Sequence, residues 1–313
     1  MRITILIFIQ ETNMRTIKFL LFFLSIVYGL FPTFGYGTPR HIQKSTFLSE
    51  PPIRDSIDKK TPNTIVRRHL TVFPPEYNPF QISDLKSSSI YIVYHVGILN
   101  NWQEVMEEQL KALTSSGLLE ACTEFVVCFV GDDTPIIYNL LENIPYTEKT
   151  KIIHGSEDLL VCEFPSIALT KEVARNHRDA KILYLHNKGV THFNTPKESF
   201  IRDWRLHIEY FLIHHWQTCI DALDAYDICG VNWFPTVPNY PQHFSGNFWW
   251  ARADYVQTIP ELPKPYLFKN RCDCEWFIGT GHLDLNKVKS FHQSGCGGFH
   301  YFNPYPREKY AYD

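Results

Sequence analysis

His186, Asn187 and Lys188 stand together at the end of the apolar run Lys181–Leu185, and Gly189 follows them. An imidazole, an amide and an ammonium at one strand end are donors that meet a phosphate without a metal. The glycine lets the backbone turn directly behind them. Asp132 and Asp133 follow Gly131 at the end of a second apolar run, Glu124–Val130. Carboxylates placed there suit a nucleobase or ribose hydroxyls. The alternative is a helix cap, with Asp133 or Thr134 capping a helix that opens at Pro135.

Two later segments also carry chemistry. His243–Arg252 (HFSGNFWWAR) sets Ser245, Gly246 and Asn247 between aromatic residues. Such a tight polar element lets backbone and amide approach a sugar, with Trp249 or Trp250 stacking on its C–H faces. Strand alternation allows at most one of the two indoles to face a cleft, and both fit a core equally well. Asp273 and Glu275 precede Trp276. A carboxylate beside an indole suits a general base; an acidic residue at a helix start is the plainer reading. Asp203, Trp204 and Arg205 lie on a predicted helix that faces the same cleft or forms a surface ion-pair face.

The elements that must position these groups follow from periodicity. Predicted strands are Ser89–Val96, Glu124–Val130, Lys151–His154 and Lys181–Leu185. Predicted helices are Asn101–Leu113 (capped by Asn100 or Asn101), Thr134 to about Asn143, and Pro165–His177. Strand and helix alternate over this stretch, which predicts right-handed crossovers and a mainly parallel sheet. A long helix is predicted from about Lys197 to Leu223. A strand at Asp227–Trp233, a strand at His243–Ala251 leading into a helix at Asp254, and a short helix at Cys272–Ile278 complete the reading. In an open α/β sheet, ligands bind beyond the carboxyl ends of the strands. Both Asp132-Asp133 and His186–Lys188 sit at such ends.

Composition bounds the rest. The 313 residues carry a net charge of −3, which gives no basic field for nucleic acid. Residues 1–37, with a basic start and most of the charge-free run Phe19–Pro39, read as a signal peptide or signal anchor. Residues 38–86 contain seven prolines and no sustained period, and read as a stem or linker. Residues 87–313 have the length for one folded domain. That layout suits a protein of the Golgi or endoplasmic reticulum lumen, anchored only through its N-terminal segment, or a secreted one. All eight cysteines fall in the domain; Cys128 and Cys229, inside apolar runs, read as buried thiols. No Gly-x-Gly-x-x-Gly, Walker loop, Gly-x-Ser-x-Gly or His-Glu-x-x-His is present.

Taken in order, these features resemble the GT-A-fold glycosyltransferases of the nucleotide-diphospho-sugar transferase superfamily, over roughly residues 89–282. In that family the second strand ends in an Asp pair that contacts the nucleotide, as EFVVCFVGDD does here. A helix with an Ala-Arg-Asn stretch then leads to a strand ending in Asp-x-Asp. Ala174-Arg175-Asn176 and KILYLHNK match that layout, and HFSGNFWW and CDCEW match the family's acceptor and base elements. His-x-Lys-Gly is also similar to rhamnan-synthesis-type glycosyltransferases.

The resemblance implies an α/β, Rossmann-like, mainly parallel sheet flanked by helices, with a loop-rich C-terminal part. It implies transfer of a hexosyl or deoxyhexosyl group from a nucleotide-sugar donor to a glycan or glycoprotein acceptor. Asp132, Asp133, His186, Asn187 and Lys188 would hold nucleotide and diphosphate. Ser245, Gly246, Asn247, Trp249, Trp250, Trp204 and Arg205 would shape the sugar and acceptor pocket. Glu275, with Asp273, would supply acid–base catalysis. A divalent cation belongs to the family pattern, but here His186 and Lys188 replace its two carboxylates. That departure implies either a metal-independent enzyme or an inactive carbohydrate-binding protein on the same fold.

Overall fold

The computed structural model describes residues 89–237, 241–262, 273–296 and 300–311. The chain divides into two units, 1–60 and 61–313, and the described residues all belong to the second. The signal or anchor segment, the Pro-rich linker and Cys272 lie outside them. Among the described residues no helix is long and apolar enough to cross a membrane.

The predicted alternation is present. β1 (Ile90–Gly97) leads to α1 (Trp102–Ser115), a short α2 (Leu118–Ala121) and β2 (Glu124–Val130). Then come α3 (Thr134–Glu142), β3 (Thr150–Ser156), α4 (Phe164–Asn176) and β4 (Lys181–His186). Pro135 and Pro165 lie in the first turns of α3 and α4, where a missing N–H costs nothing. α1 starts without a side-chain cap bond from Asn101, so that expected cap is absent.

The second half departs further from expectation. The predicted long helix is broken into α5 (Glu198–Glu209), a π-helical turn at Tyr210–His214, and α6 (Trp216–Ala222). His215, with φ −112° and ψ 36°, interrupts the helical path between them. The predicted Asp227–Trp233 strand divides into β5 (Ile228–Gly230) and β6 (Trp233–Phe234), because Asn232 turns at φ +54°. HFSGNFWWA likewise divides into β7 (His243–Phe244) and β8 (Trp249–Arg252) around a turn. α7 (Ala253–Thr258), α8 (Asp273–Trp276) and β9 (Val288–Ser290) follow.

The main sheet has the order β3-β2-β1-β4-β8-β5-β9. β8 runs antiparallel to β4 and β5, and the other pairs are parallel. This is an α/β protein with a seven-stranded, mainly parallel sheet flanked by helices. Both faces are covered, so the strands are apolar on both sides. One core holds Ile92, Tyr94, Phe125 and Trp250 against α1 and the α5–α6 region. The other holds Val93, Ile182, Tyr184 and Trp249 against α4, α7 and α8.

Candidate functional site

The chain winds outward from β1 through β2 to β3, then returns to place β4 on the other side of β1. The carboxyl ends of β1 and β4 therefore form the topological switch point, where such sheets open a crevice. His95 and His186 are paired across those two ends.

Asn187 closes the crevice floor. Its Nδ2 donates to Gly97 O at 2.8 Å, and its Oδ1 accepts from Gly97 N at 2.9 Å. The side chain extends the ladder between β1 and β4 and is buried, so its amide is spent on the fold.

His186 is half-buried on the α4 side. Its Nε2 lies 3.0 Å from Gly246 O, which fixes the proton on Nε2, since a carbonyl only accepts. Its Nδ1 lies 3.9 Å from Glu163 Oε1. Glu163 Oε2 accepts from Tyr184 OH at 2.7 Å and from Asn247 Nδ2 at 2.6 Å. Glu275 Oε1 accepts from Gly246 N at 3.2 Å. Two half-buried carboxylates and an imidazole thus grip the turn between β7 and β8. Gly246 is required in that turn: it holds φ +101°, and a Cβ there would lie 2.6 Å from Ile208 Cδ1. Behind the cluster, His95 Nδ1 sits 2.8 Å from Ser166 Oγ. Burial lowers the His95 pKa to about 4, with Glu163 opposing and His186 adding to the shift. Burial also raises the Tyr184 hydroxyl far above its ordinary value, and Glu163 beside it adds to that.

Asp132 is exposed just beyond β2, and Asp133 is half-buried. Asp133 makes no side-chain cap to α3; only its backbone carbonyl accepts, from Ile136 N at 3.2 Å. Both carboxylates stay at the edge. Asp273 and Glu275, two residues apart on a helix, do not share a face. The structure brings Glu275 to the cluster and gives Asp273 no part in it.

Several expected sugar contacts are corrected. Trp249 and Trp250 are both fully buried, because β8 is an inner strand covered on both faces. Trp249 stacks on Tyr184, and Trp250 Nε1 donates to Leu212 O at 2.9 Å. Neither indole offers a face to a sugar. Trp204 and Arg205 are buried on the opposite face of the sheet, each only 2% exposed. Arg205 pairs with Glu209 at 3.3 Å and with Glu108. Burial alone would lower its pKa, but the carboxylates of Glu209 and Glu108 outweigh it and the net direction is up. Ser245 is buried, and its backbone N donates to Asn232 O at 3.0 Å. Lys188 is 8% exposed, with Nζ 3.7 Å from the centre of the Trp204 ring. The ammonium therefore rests on an aromatic face instead of projecting past the strand end.

These placements test the divalent cation of the family pattern. Asn187's amide is spent on Gly97, His186 Nε2 is turned to Gly246 O, and a protonated lysine has no lone pair. That donor set does not suit a dication. Among the described residues no group of three or more His, Cys, Asp or Glu is arranged to hold a metal ion.

Glu163 is the site residue that sequence reasoning missed. Its one sequence signal is its place directly before Phe164-Pro165, an acidic residue at a helix start. Cys128 and Cys229 are buried thiols, as expected, and burial pushes the Cys128 thiol up to about 12.

No curated protein matches the sequence. Among solved structures, the chain is similar to 4-diphosphocytidyl-2C-methyl-D-erythritol synthase from Anaerococcus prevotii DSM 20548. The identity is 13%, with 71% of this chain and 94% of that one covered, at a TM-score of 0.35. A second structure of a 4-diphosphocytidyl-2C-methyl-D-erythritol synthase is 12% identical, covers 70% of this chain and 98% of its own, and gives a TM-score of 0.32. Residues 96–302, from the end of β1 to beyond β9, match the family described as Domain of unknown function (DUF8361), and the chain belongs to that family.

Proposed function

We propose that the domain is a glycosyltransferase that takes its sugar from a nucleotide-sugar donor lying across the carboxyl ends of β1, β2 and β4. The observation that carries the reading is the convergence of Glu163, His186 and Glu275 on the Gly246–Asn247 turn beside the switch point. These three ionisable groups remain partly exposed at the carboxyl ends of the strands, where an open α/β sheet binds its ligands. Asp132 and Asp133 stand at the neighbouring strand end, within the same edge, for nucleoside or ribose. Glu275 is the proposed base: it takes the proton of the acceptor hydroxyl as that oxygen bonds to the sugar's anomeric carbon and the nucleoside diphosphate leaves. A depression of about 440 Å³ lies beside α8, the helix that carries Glu275, lined among others by Thr236, Gln242, Trp276 and Thr280. Indole, amide and hydroxyls there suit a glycan acceptor, in place of the buried Trp249 and Trp250.

The test is turnover across a panel of UDP-, GDP- and dTDP-sugars, for the wild type and for Glu275→Gln. Gln keeps the size and the bond from Gly246 N but lacks the basic carboxylate. Turnover is expected to fall by roughly 10²–10⁴-fold with nucleotide binding retained. Normal turnover in that variant removes Glu275 from the chemistry. Glycan binding by a wild type that consumes no donor would favour the carbohydrate-binding alternative.

A further inference from the structure

The approach to α4 is strained. Cys162 holds φ +50° and ψ −136°, a region that residues with a side chain rarely occupy. The next residue is Glu163, and the conformation delivers its carboxylate to the switch point. There Glu163 joins three elements that are far apart in sequence. Its Oε2 receives Tyr184 OH from β4 and Asn247 Nδ2 from the β7–β8 turn. Its Oε1 faces His186 Nδ1 at 3.9 Å, and His186 in turn donates to Gly246 O. Gly246 N is the donor that sets Glu275.

We propose that Glu163 is the positioning residue of this edge: it orients His186 and the Gly246–Asn247 turn, and through that turn the Glu275 carboxylate. Both oxygens of Glu163 face protein partners, so it is not itself a catalytic residue. The effect on turnover rests on the transferase reading; the coupling to His186 does not.

The groups facing His186 come from every neighbouring element. Glu163 lies on the α4 side, His95 on β1, and Phe248 stands edge-on at 5.1 Å. Glu275 reaches it only through Gly246. Among the described residues, Glu163 is the carboxylate that faces the ring directly, at 3.9 Å. Removing that charge disfavours the imidazolium, so the His186 titration midpoint falls.

The experiment uses the full chain labelled at histidine, with His186 titrated by NMR and turnover measured on the donor panel. In Glu163→Gln the midpoint is expected to fall, and Glu163→Asp, which keeps the charge, is expected to restore most of it. Glu163→Gln should also lower kcat by roughly 10- to 100-fold through misplacement, with donor KM nearly unchanged. Tyr184→Phe removes one donor from the same carboxylate without touching charge. The less satisfied carboxylate attracts His186 more strongly, so the midpoint is expected to rise. This opposite sign decides the matter alone should Glu163→Gln not fold. An unmoved midpoint in a folded variant overturns the proposal. If the wild type consumes no donor while the midpoint still moves as stated, the transferase reading fails and the Glu163–His186 coupling stands.

Discussion

The two faces of the sheet meet the same carboxyl edge and treat charge in opposite ways. On the α4 face, Glu163, His186 and Glu275 are half-buried and bonded to neutral or backbone groups. On the α5 face, the buried charges sit against a partner, in an ion pair or on an aromatic ring. Arg205 and Glu209 are both 2% exposed and paired, and Gln109 Nε2 bridges Glu209 Oε1 to His186 O. Burial raises the Glu209 pKa while Arg205 opposes it, with the net direction up. Beside them His207, His292 and His300 pack among Trp204, Phe211, Tyr305 and Tyr310, and burial lowers all three pKa values. Burial disfavours the charged histidines on the α5 face, whereas the α4 face keeps partly exposed carboxylates at the strand ends, where the proposed donor would lie.

Breaking the sealed face is expected to give the largest effect. Arg205→Ala leaves Glu209 buried without its cation, at a cost of about 3–5 kcal/mol. Replacing Arg205 and Glu209 together by apolar residues of similar volume should recover most of that loss. Glu163→Gln, on the open face, should cost far less stability while changing turnover. Denaturant midpoints of the three proteins check the contrast. A stability loss for Glu163→Gln as large as that for Arg205→Ala would erase the distinction between the faces.

The histidines sharpen the comparison through pH. His300 Nε2 takes bonds from Asn232 Nδ2 and Ser294 Oγ, so its proton sits on Nδ1, which is buried with no partner among the described residues. Burial lowers the His207 pKa to about 3, and His292 and His300 add to the shift. Burial also lowers the His300 pKa to about 4, with Lys188 contributing. The folded state therefore binds fewer protons than the unfolded state below the ordinary histidine value of about 6.5. Stability is fully present above that value and is lost as pH falls toward the folded values. His207 alone accounts for on the order of 2 kcal/mol of that loss at pH 5. His207→Phe should flatten the acid limb of a Tm-against-pH curve between pH 7.5 and 5, whatever it costs at neutral pH. An acid limb as steep as the wild type's would show that His207 does not carry this linkage.

Much of the open face was legible in the sequence, and little of the sealed one. The first four strands were visible because each is a continuous apolar run bounded by polar turns. Pro135 and Pro165 marked two helix starts. The antiparallel β8 was invisible as such, because direction is set by pairing with β4 and β5, which no local pattern records. The same ignorance makes Trp249 and Trp250 look like platforms: a sheet covered by helices on both sides buries both faces of its strands, whereas a sheet with one solvated side buries only one. The break at Tyr210–His215 lies within a helical pattern that continues on both sides of it. Glu163 escaped because its partners Tyr184, His186 and Asn247 are distant in sequence and its own neighbours spell only a helix start.

Lys188 joins the two faces and gives the smallest expected effect. Its position after His186 and Asn187 reads as the cation that meets a diphosphate in the absence of Asp-x-Asp. Its side chain instead turns onto Trp204, whose ring stacks on His300 with centres 4.9 Å apart. A cation on an indole is worth about 0.5–2 kcal/mol, so swinging out to a ligand forfeits part of what it gains. Lys188→Ala should then weaken nucleoside diphosphate binding by about 1.5 kcal/mol, the low end for a hydrogen bond to a charged group. Nucleoside binding should change little, since it lacks the diphosphate, and EDTA should not abolish either. Calorimetric titration of both ligands into both proteins with EDTA present makes the measurement. Equal losses for nucleoside and diphosphate would assign Lys188 wholly to the sealed face, as a support for Trp204. A loss confined to the diphosphate would mean that one residue of the closed face serves the open edge.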